Sequence, residues 1–192
     1  MIQRLYAWTL SLAEHRHALW VLAFVSFIES SIFPIPPDII MIPMILARPS
    51  RAFLIAGVAL VASVLGGMLG YAIGALAFDA LGEPILNALG KADAMGEFSQ
   101  RFNDVGFWAV LIAGVTPFPY KVITIMSGVT AMPIGTFIAT SILARGLRFF
   151  LVALLLWKFG APVRDFIEKR LPLMFTLAVA WVIGGFLVLK VL

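Results

Sequence analysis

Five ionisable side chains stand inside strongly apolar stretches of this 192-residue sequence: Glu29, Asp38, Lys121, Arg145 and Arg148. A charge held at the centre of a bilayer costs about 2.5–3.5 kcal/mol on insertion scales, so such residues face a bundle interior or a hydrated cavity and pair with partners. Arg145 and Arg148, three positions apart, share one helical face. Three cations against two carboxylates leave one positive charge, and in low-dielectric surroundings that surplus favours an incoming anion. A phosphate headgroup suits the donors, because arginine presents a two-pronged fork and Lys121 a point charge on a flexible stem. Arg145, Arg148 and Lys121 are therefore the candidate substrate-binding residues. Glu29 and Asp38 have another chemistry available. Burial penalises a charged carboxyl while a neighbouring guanidinium favours it, and these opposed pulls make both acids candidates for proton coupling. The plainer reading of all five is a set of structural ion pairs clamping the helices.

The elements that position these charges must lie in a membrane. Apolar residues make up 62% of the chain and charged residues 12%, against the roughly one-quarter charged composition of soluble domains. Several stretches approach the roughly 20 apolar residues that a helical crossing needs, so one polytopic, all-α membrane domain fills the chain. Cysteine is absent, which excludes disulfides, thiolate metal sites and cysteine nucleophiles. The two histidines, His15 and His17, precede the first apolar run, and neither a metal site nor a cofactor is expected. The net charge of +4 points to topology and lipid contact, not to a nucleic-acid partner.

Along the chain, residues 1–17 alternate aromatic and aliphatic residues with polar ones and predict a short interfacial helix. The apolar stretch 18–47 is interrupted by Pro34, Pro36 and Pro37, which predicts two short arms that enter and leave on one face, a re-entrant hairpin. Residues 52–78 predict a spanning helix. Within it Gly66, Gly70 and Gly74 repeat every fourth position, so they form a notch for helix packing, serving either the interior or a homodimer. Residues 79–104 read as a polar connector with five acids. A second broken segment, 105–128, carries Pro117 and Pro119 and predicts a second hairpin; spanning helices follow at 134–157 and 172–189.

The two broken segments align without gaps, PIPPDIIMI (Pro34–Ile42) over PFPYKVITI (Pro117–Ile125), and Asp38 falls on Lys121. Proline-broken segments at matching places in two halves point to a midplane site in an inverted-repeat transporter. With a single crossing between them, two hairpins enter from opposite faces. A cytoplasmic N-terminus then gives that face Arg4, Arg16, Arg48, Arg51, Lys158, Arg164, Lys169 and Arg170, and leaves the other Lys91, Arg101 and Lys190. The positive-inside rule is satisfied.

At these residues the chain resembles the DedA family, also described as SNARE-associated Golgi or VTT-domain proteins, over roughly Phe27 to Gly160. The resemblance is carried by FIESSIFPIPPDIIMIP (Phe27–Pro43), TPFPYKVITIMSGV (Thr116–Val129) and ARGLRFFLVALL (Ala144–Leu155). It implies a compact bacterial inner-membrane fold with two opposed re-entrant hairpins that moves lipids across the bilayer, undecaprenyl phosphate or phospholipids, with proton-motive force often invoked. The family's functional acids map onto Glu29 and Asp38, and its functional arginines onto Arg145 and Arg148. Lys121 stands where many relatives carry an arginine nearby.

Two other functions use the same residues. A small-ion or proton exchanger would carry its cargo on Glu29 and Asp38, with the cations tuning them. A membrane-embedded lipid phosphatase would also need cations for phosphate, but no histidine lies in an apolar segment and no nucleophile–base arrangement is available, so no enzymatic activity is expected.

Overall fold

The computed structural model describes residues 17–33, 35–88, 92–116, 118–160 and 162, with backbone alone at 83 and 92–94. Every regular element among them is helical. The expected interfacial helix over 1–17, His17 apart, and the crossing over 172–189 lie outside the described residues, as do Pro34 and Pro117.

The first broken segment forms α1 (Ala18–Ser31) and α2 (Asp38–Ala47), of 14 and 10 residues. At 1.5 Å per residue these are about 21 and 15 Å long, well short of a hydrocarbon core of roughly 30 Å. Pro37 caps α2, where its fixed φ suits a helix start and its missing N–H costs nothing. Ala18 and Leu22, early in α1, share one core cluster with Met44 and Ile45, late in α2. The chain therefore doubles back at the prolines, and the pair is a hairpin whose tip is the 32–37 break.

A 3-10 turn (Pro49–Arg51) leads into α3 (Ala52–Ala77), which continues through a π-helical turn (Phe78–Gly82) into α4 (Glu83–Ala88). Next comes α5 (Ala92–Val115), a helix of 24 residues that begins well inside the stretch 79–104. That stretch is thus largely helical, and polar without being irregular: Ala, Leu, Glu and Gln favour helix whether or not they are buried. Beyond the second break lies α6 (Tyr120–Val129). Asn103 of α5 donates from Nδ2 to the Thr130 carbonyl just past α6 at 2.9 Å, so α5 and α6 also fold back on each other. Ala131 turns the chain with φ 49°, a left-handed conformation unusual for a residue with a side chain, and α7 (Ile134–Gly160) follows.

Two helical runs, Pro49–Ala88 and Ile134–Gly160, are long and apolar enough to cross a membrane. Glycine fixes how closely the hairpins approach α3. A Cβ at Gly66 would lie 2.0 Å from the Phe27 carbonyl oxygen, and one at Gly74 would lie 2.0 Å from that of Ile125. At Gly70 it would meet Thr124 Oγ1 at 2.3 Å and the Ser30 carbonyl at 3.2 Å. All three sequence-marked glycines thus face backbone or side chains of this same chain. Read along α3, the contacts pass up α1 to its C-terminal end at Ser30, then onto α6. The tips of the two hairpins meet near Gly70. Antiparallel to α3, α7 packs first on the second hairpin, through Phe137, and then on the first, through Phe149, Ala153 and Leu156.

Candidate functional site

The midsection of α7 brings two arginines to the level of those tips. Arg145 lies eleven residues from the start of the 27-residue helix, about 17 Å along its axis. It is 1% exposed and among the largest fully enclosed side chains of the described residues. Its guanidinium pairs with Glu29 of α1 through Nη2, donates from Nη2 to Ser30 Oγ at 3.0 Å, and donates from Nε to Ser63 Oγ of α3 at 2.8 Å. The Ser30 and Ser63 hydroxyls are themselves 2.7 Å apart, and Ser30 Oγ donates to Glu29 Oε2 at 3.1 Å. The face of the cation rests 4.3 Å from the Tyr120 ring centroid and 5.3 Å from that of Phe149. Tyr120 is anchored in turn by its hydroxyl, which donates to Ser141 Oγ at 2.5 Å. Every desolvated group here has a partner, as burial of an ion pair in low dielectric requires.

Arg148 sits one turn further on and is less enclosed. Its Nη2 pairs with Asp38 Oδ2 at 2.5 Å, with 17% of the arginine and 19% of the aspartate side chain exposed. Its Nη1 donates to the Thr116 carbonyl at 2.9 Å. One guanidinium therefore joins the far side of the first break, where α2 begins, to the near side of the second, where α5 has just ended. Lys121 completes the converse link, its Nζ donating to the Ile32 carbonyl at 3.0 Å, across from the second break to the near side of the first. Thr124, one turn beyond Lys121, donates to the Ser30 carbonyl at 3.1 Å. Ile32, Asp38, Arg148, Thr116 and Lys121 thus form a closed ring: the two breaks make its arcs, and the cations bridge them.

All five charged residues marked in the sequence converge on the hairpin tips, in two settings. Arg145 is enclosed, with Glu29 only 11% exposed beside it; Asp38, Arg148 and Lys121 line the ring, all partly exposed. Asp38 and Lys121, which fall at the same place when the two proline-broken sequences are aligned, are joined through the ring, each bonded to a different partner. The surplus cation is Lys121, which has no carboxylate within ion-pair distance among the described residues. Charge alone did not mark Ser30, Ser63, Tyr120 or Ser141. Their signal is weaker: hydroxyls set within largely apolar stretches of the sequence. Among the described residues no cluster of three or more His, Asp or Glu could hold a metal ion.

The family described as the VTT domain matches residues 31–158, two-thirds of the chain. The chain belongs to this family, the DedA family. The match runs from the end of α1 through both breaks and both arginines, and Glu29 lies just ahead of it. VTT-domain proteins are membrane-associated, which accords with the two long apolar helices and with exposed Trp20, Phe24, Val61, Leu76 and Leu151 on the outer surface. An uncharacterized protein of Haemophilus influenzae is 42% identical over 168 residues, covering 85% of this chain and 87% of its own length. A second uncharacterized protein, from Histophilus somni, is 40% identical over the same shares of each chain. No solved structure matches the chain.

Proposed function

We propose that this VTT-domain protein is a polytopic transporter of the bacterial inner membrane that translocates an anionic lipid, a polyprenyl phosphate such as undecaprenyl phosphate or a phospholipid, and is no enzyme. The observation that carries the reading is the ring of Asp38, Arg148 and Lys121 where two broken helical hairpins meet, midway along two apolar helices. Broken helices around a midplane charge cluster are the arrangement by which inverted-repeat transporters expose one site to either face. A lipid needs such a site only for its headgroup, since its acyl chains stay in hydrocarbon against the apolar exterior. Glu29 and Asp38, each bonded to an arginine, are the groups through which protons couple to the movement.

The orientation follows from charge. Arg48 and Arg51 lie at the open end of the first hairpin, and a Cβ on Gly160 at the end of α7 would lie 3.7 Å from Leu46, so Lys158 belongs to the same end. By the positive-inside rule that end is cytoplasmic, as is the N-terminus.

The test is reconstitution into liposomes holding labelled undecaprenyl phosphate or labelled phospholipid, comparing the native protein with Arg148→Ala, with and without a proton gradient. The expected result is leaflet exchange of one lipid by the native protein, a loss of about tenfold or more in the variant, and acceleration by the gradient. Movement of protons or small ions with no lipid exchange would select the exchanger reading instead. Release of inorganic phosphate would select an enzyme.

A further inference from the structure

The two ion pairs are unequal, and the inequality bears on which anion the site accepts. Arg145 spends its fork on Glu29, Ser30 and Ser63 inside a sealed core, with an aromatic ring against its face, so an incoming headgroup has no approach to it that leaves the core intact. Arg148 and Lys121 are held differently. Arg148 has an internal anion, Asp38, in the place that an external one would take, in a pair exposed by nearly a fifth on both sides. The ammonium of Lys121 rests on a backbone carbonyl, a neutral acceptor that an anion outcompetes.

Resting on the reading of the ring as a headgroup site, and narrowing that reading to its phospholipid alternative because a polyprenyl phosphate is a phosphomonoester, we infer that Asp38 is the residue that sets headgroup charge: it tunes the pair Arg148 and Lys121 to a singly charged phosphodiester and against a phosphomonoester. Two cations and one carboxylate give the ring a net charge of +1. A phosphodiester anion carries one negative charge and balances it. A phosphomonoester carries about −1.5 to −2 at neutral pH, which leaves an excess negative charge beside Asp38. Among the described residues, the neighbouring Arg145 and Glu29 add no net charge to the sum, because they neutralise each other behind the ring. Removing the Asp38 charge raises the ring to +2 and matches it to the monoester. Like-charge exclusion of this kind is how sites discriminate among ligands that share a donor set.

The experiment measures binding, not transport, so its failure is separable from failure of lipid movement in liposomes. Native protein in phosphatidylcholine nanodiscs is titrated at neutral pH with dihexanoyl phosphatidylglycerol, a diester, with dihexanoyl phosphatidate, a monoester, and with inorganic phosphate. The native protein should prefer the diester. Asp38→Asn, and equally Asp38→Ser, should tighten phosphatidate by about tenfold, the effect of one unit of charge in a partly screened site, while the diester gains less, so that the preference inverts. Lys121→Gln should weaken both. Glu97→Gln, in the exposed Arg101–Glu97 pair of α5, makes the same change of protein charge away from the ring and should leave the preference unaltered. Inorganic phosphate that follows phosphatidate in affinity and in response marks recognition of the free anion; phosphate that binds far more weakly marks recognition of a lipid headgroup. A native preference for phosphatidate, an unchanged ratio in both Asp38 variants when their thermal unfolding shows them folded, or no binding of any probe overturns the inference.

Discussion

Removing the Arg145 guanidinium should cost far more stability than removing that of Arg148, although the two stand three residues apart on one helix and each pairs with one carboxylate. Arg145→Ala deletes the bonds to Ser63 and Ser30 and leaves Glu29, 11% exposed, without its counter-charge. Breaking a buried pair from one side typically costs about 3–5 kcal/mol, because the surviving charge stays desolvated. Arg148→Ala breaks a pair that solvent already reaches and one bond to a backbone carbonyl, together about 1–2 kcal/mol. The assay is unfolding in mixed micelles of rising sodium dodecyl sulfate fraction, followed by the fluorescence of the five tryptophans. A thermodynamic cycle completes it. Since the penalty of Arg145→Ala lies mostly in the stranded acid, Glu29→Gln added to it should recover about half of the loss, roughly 2 kcal/mol. Equal destabilisation by Arg145→Ala and Arg148→Ala, or a double variant no more stable than the Arg145 single variant, would refute the division into one sealed and one accessible pair.

Other substitutions probe the packing around the site. Gly66→Ala should destabilise by about 2–3 kcal/mol, since its Cβ would meet the Phe27 backbone at 2.0 Å, whereas Gly57→Ala, with nothing within 4 Å, should be neutral or stabilise by up to about 1 kcal/mol through helix propensity; the same unfolding titration separates them. Ala131→Gly should stabilise by about 1 kcal/mol, because φ 49° strains a residue that carries a Cβ. The Ser26 hydroxyl is buried without a hydrogen-bond partner, so Ser26→Ala should leave stability unchanged or raise it by about 1 kcal/mol. In this cysteine-free chain, Ile32→Cys with Lys121→Cys should cross-link in membranes with a short bis-thiosulfonate reagent, because Nζ of Lys121 lies 3.0 Å from the Ile32 carbonyl; labelling of each cysteine without cross-linking would contradict the meeting of the tips.

Much of this site was legible in the sequence because charge in hydrocarbon is costly, and the cost leaves few places for Glu29, Asp38, Lys121, Arg145 and Arg148 to go. The prolines marked both breaks for an equally local reason, the loss of backbone donors. Pairing was not legible. That Arg145 takes Glu29 and Arg148 takes Asp38 depends on the rotation of α7, which close contacts such as Gly114 of α5 on Ala144 help to fix, and these are tertiary. The length of α5 was missed because hydropathy marks burial, not helicity: the polar residues Asp93 to Asp104 continue the same helix that Val105 to Val115 complete. Nor could periodicity separate the enclosed arginine from the accessible one, since neighbouring turns of a single face carry both.

The broken helices also explain why the cations are where they are. A helix end leaves its last carbonyls without intrahelical donors and with the negative end of its dipole exposed, so inside a packed bundle donors from other elements satisfy them. Here α1 ends at Ser31 and α5 at Val115. The carbonyls of Ser30 and Ile32 accept from Thr124 and Lys121, and that of Thr116 accepts from Arg148. Each break is thus closed by a donor from outside its own hairpin: the first by α6, the second by α7. The same cations that suit an anion therefore also satisfy a backbone carbonyl at each break. On the proposed reading, an anion that drew Lys121 or Arg148 away would leave the Ile32 or Thr116 carbonyl without the donor that now satisfies it, which would link occupancy of the ring to the geometry of both breaks.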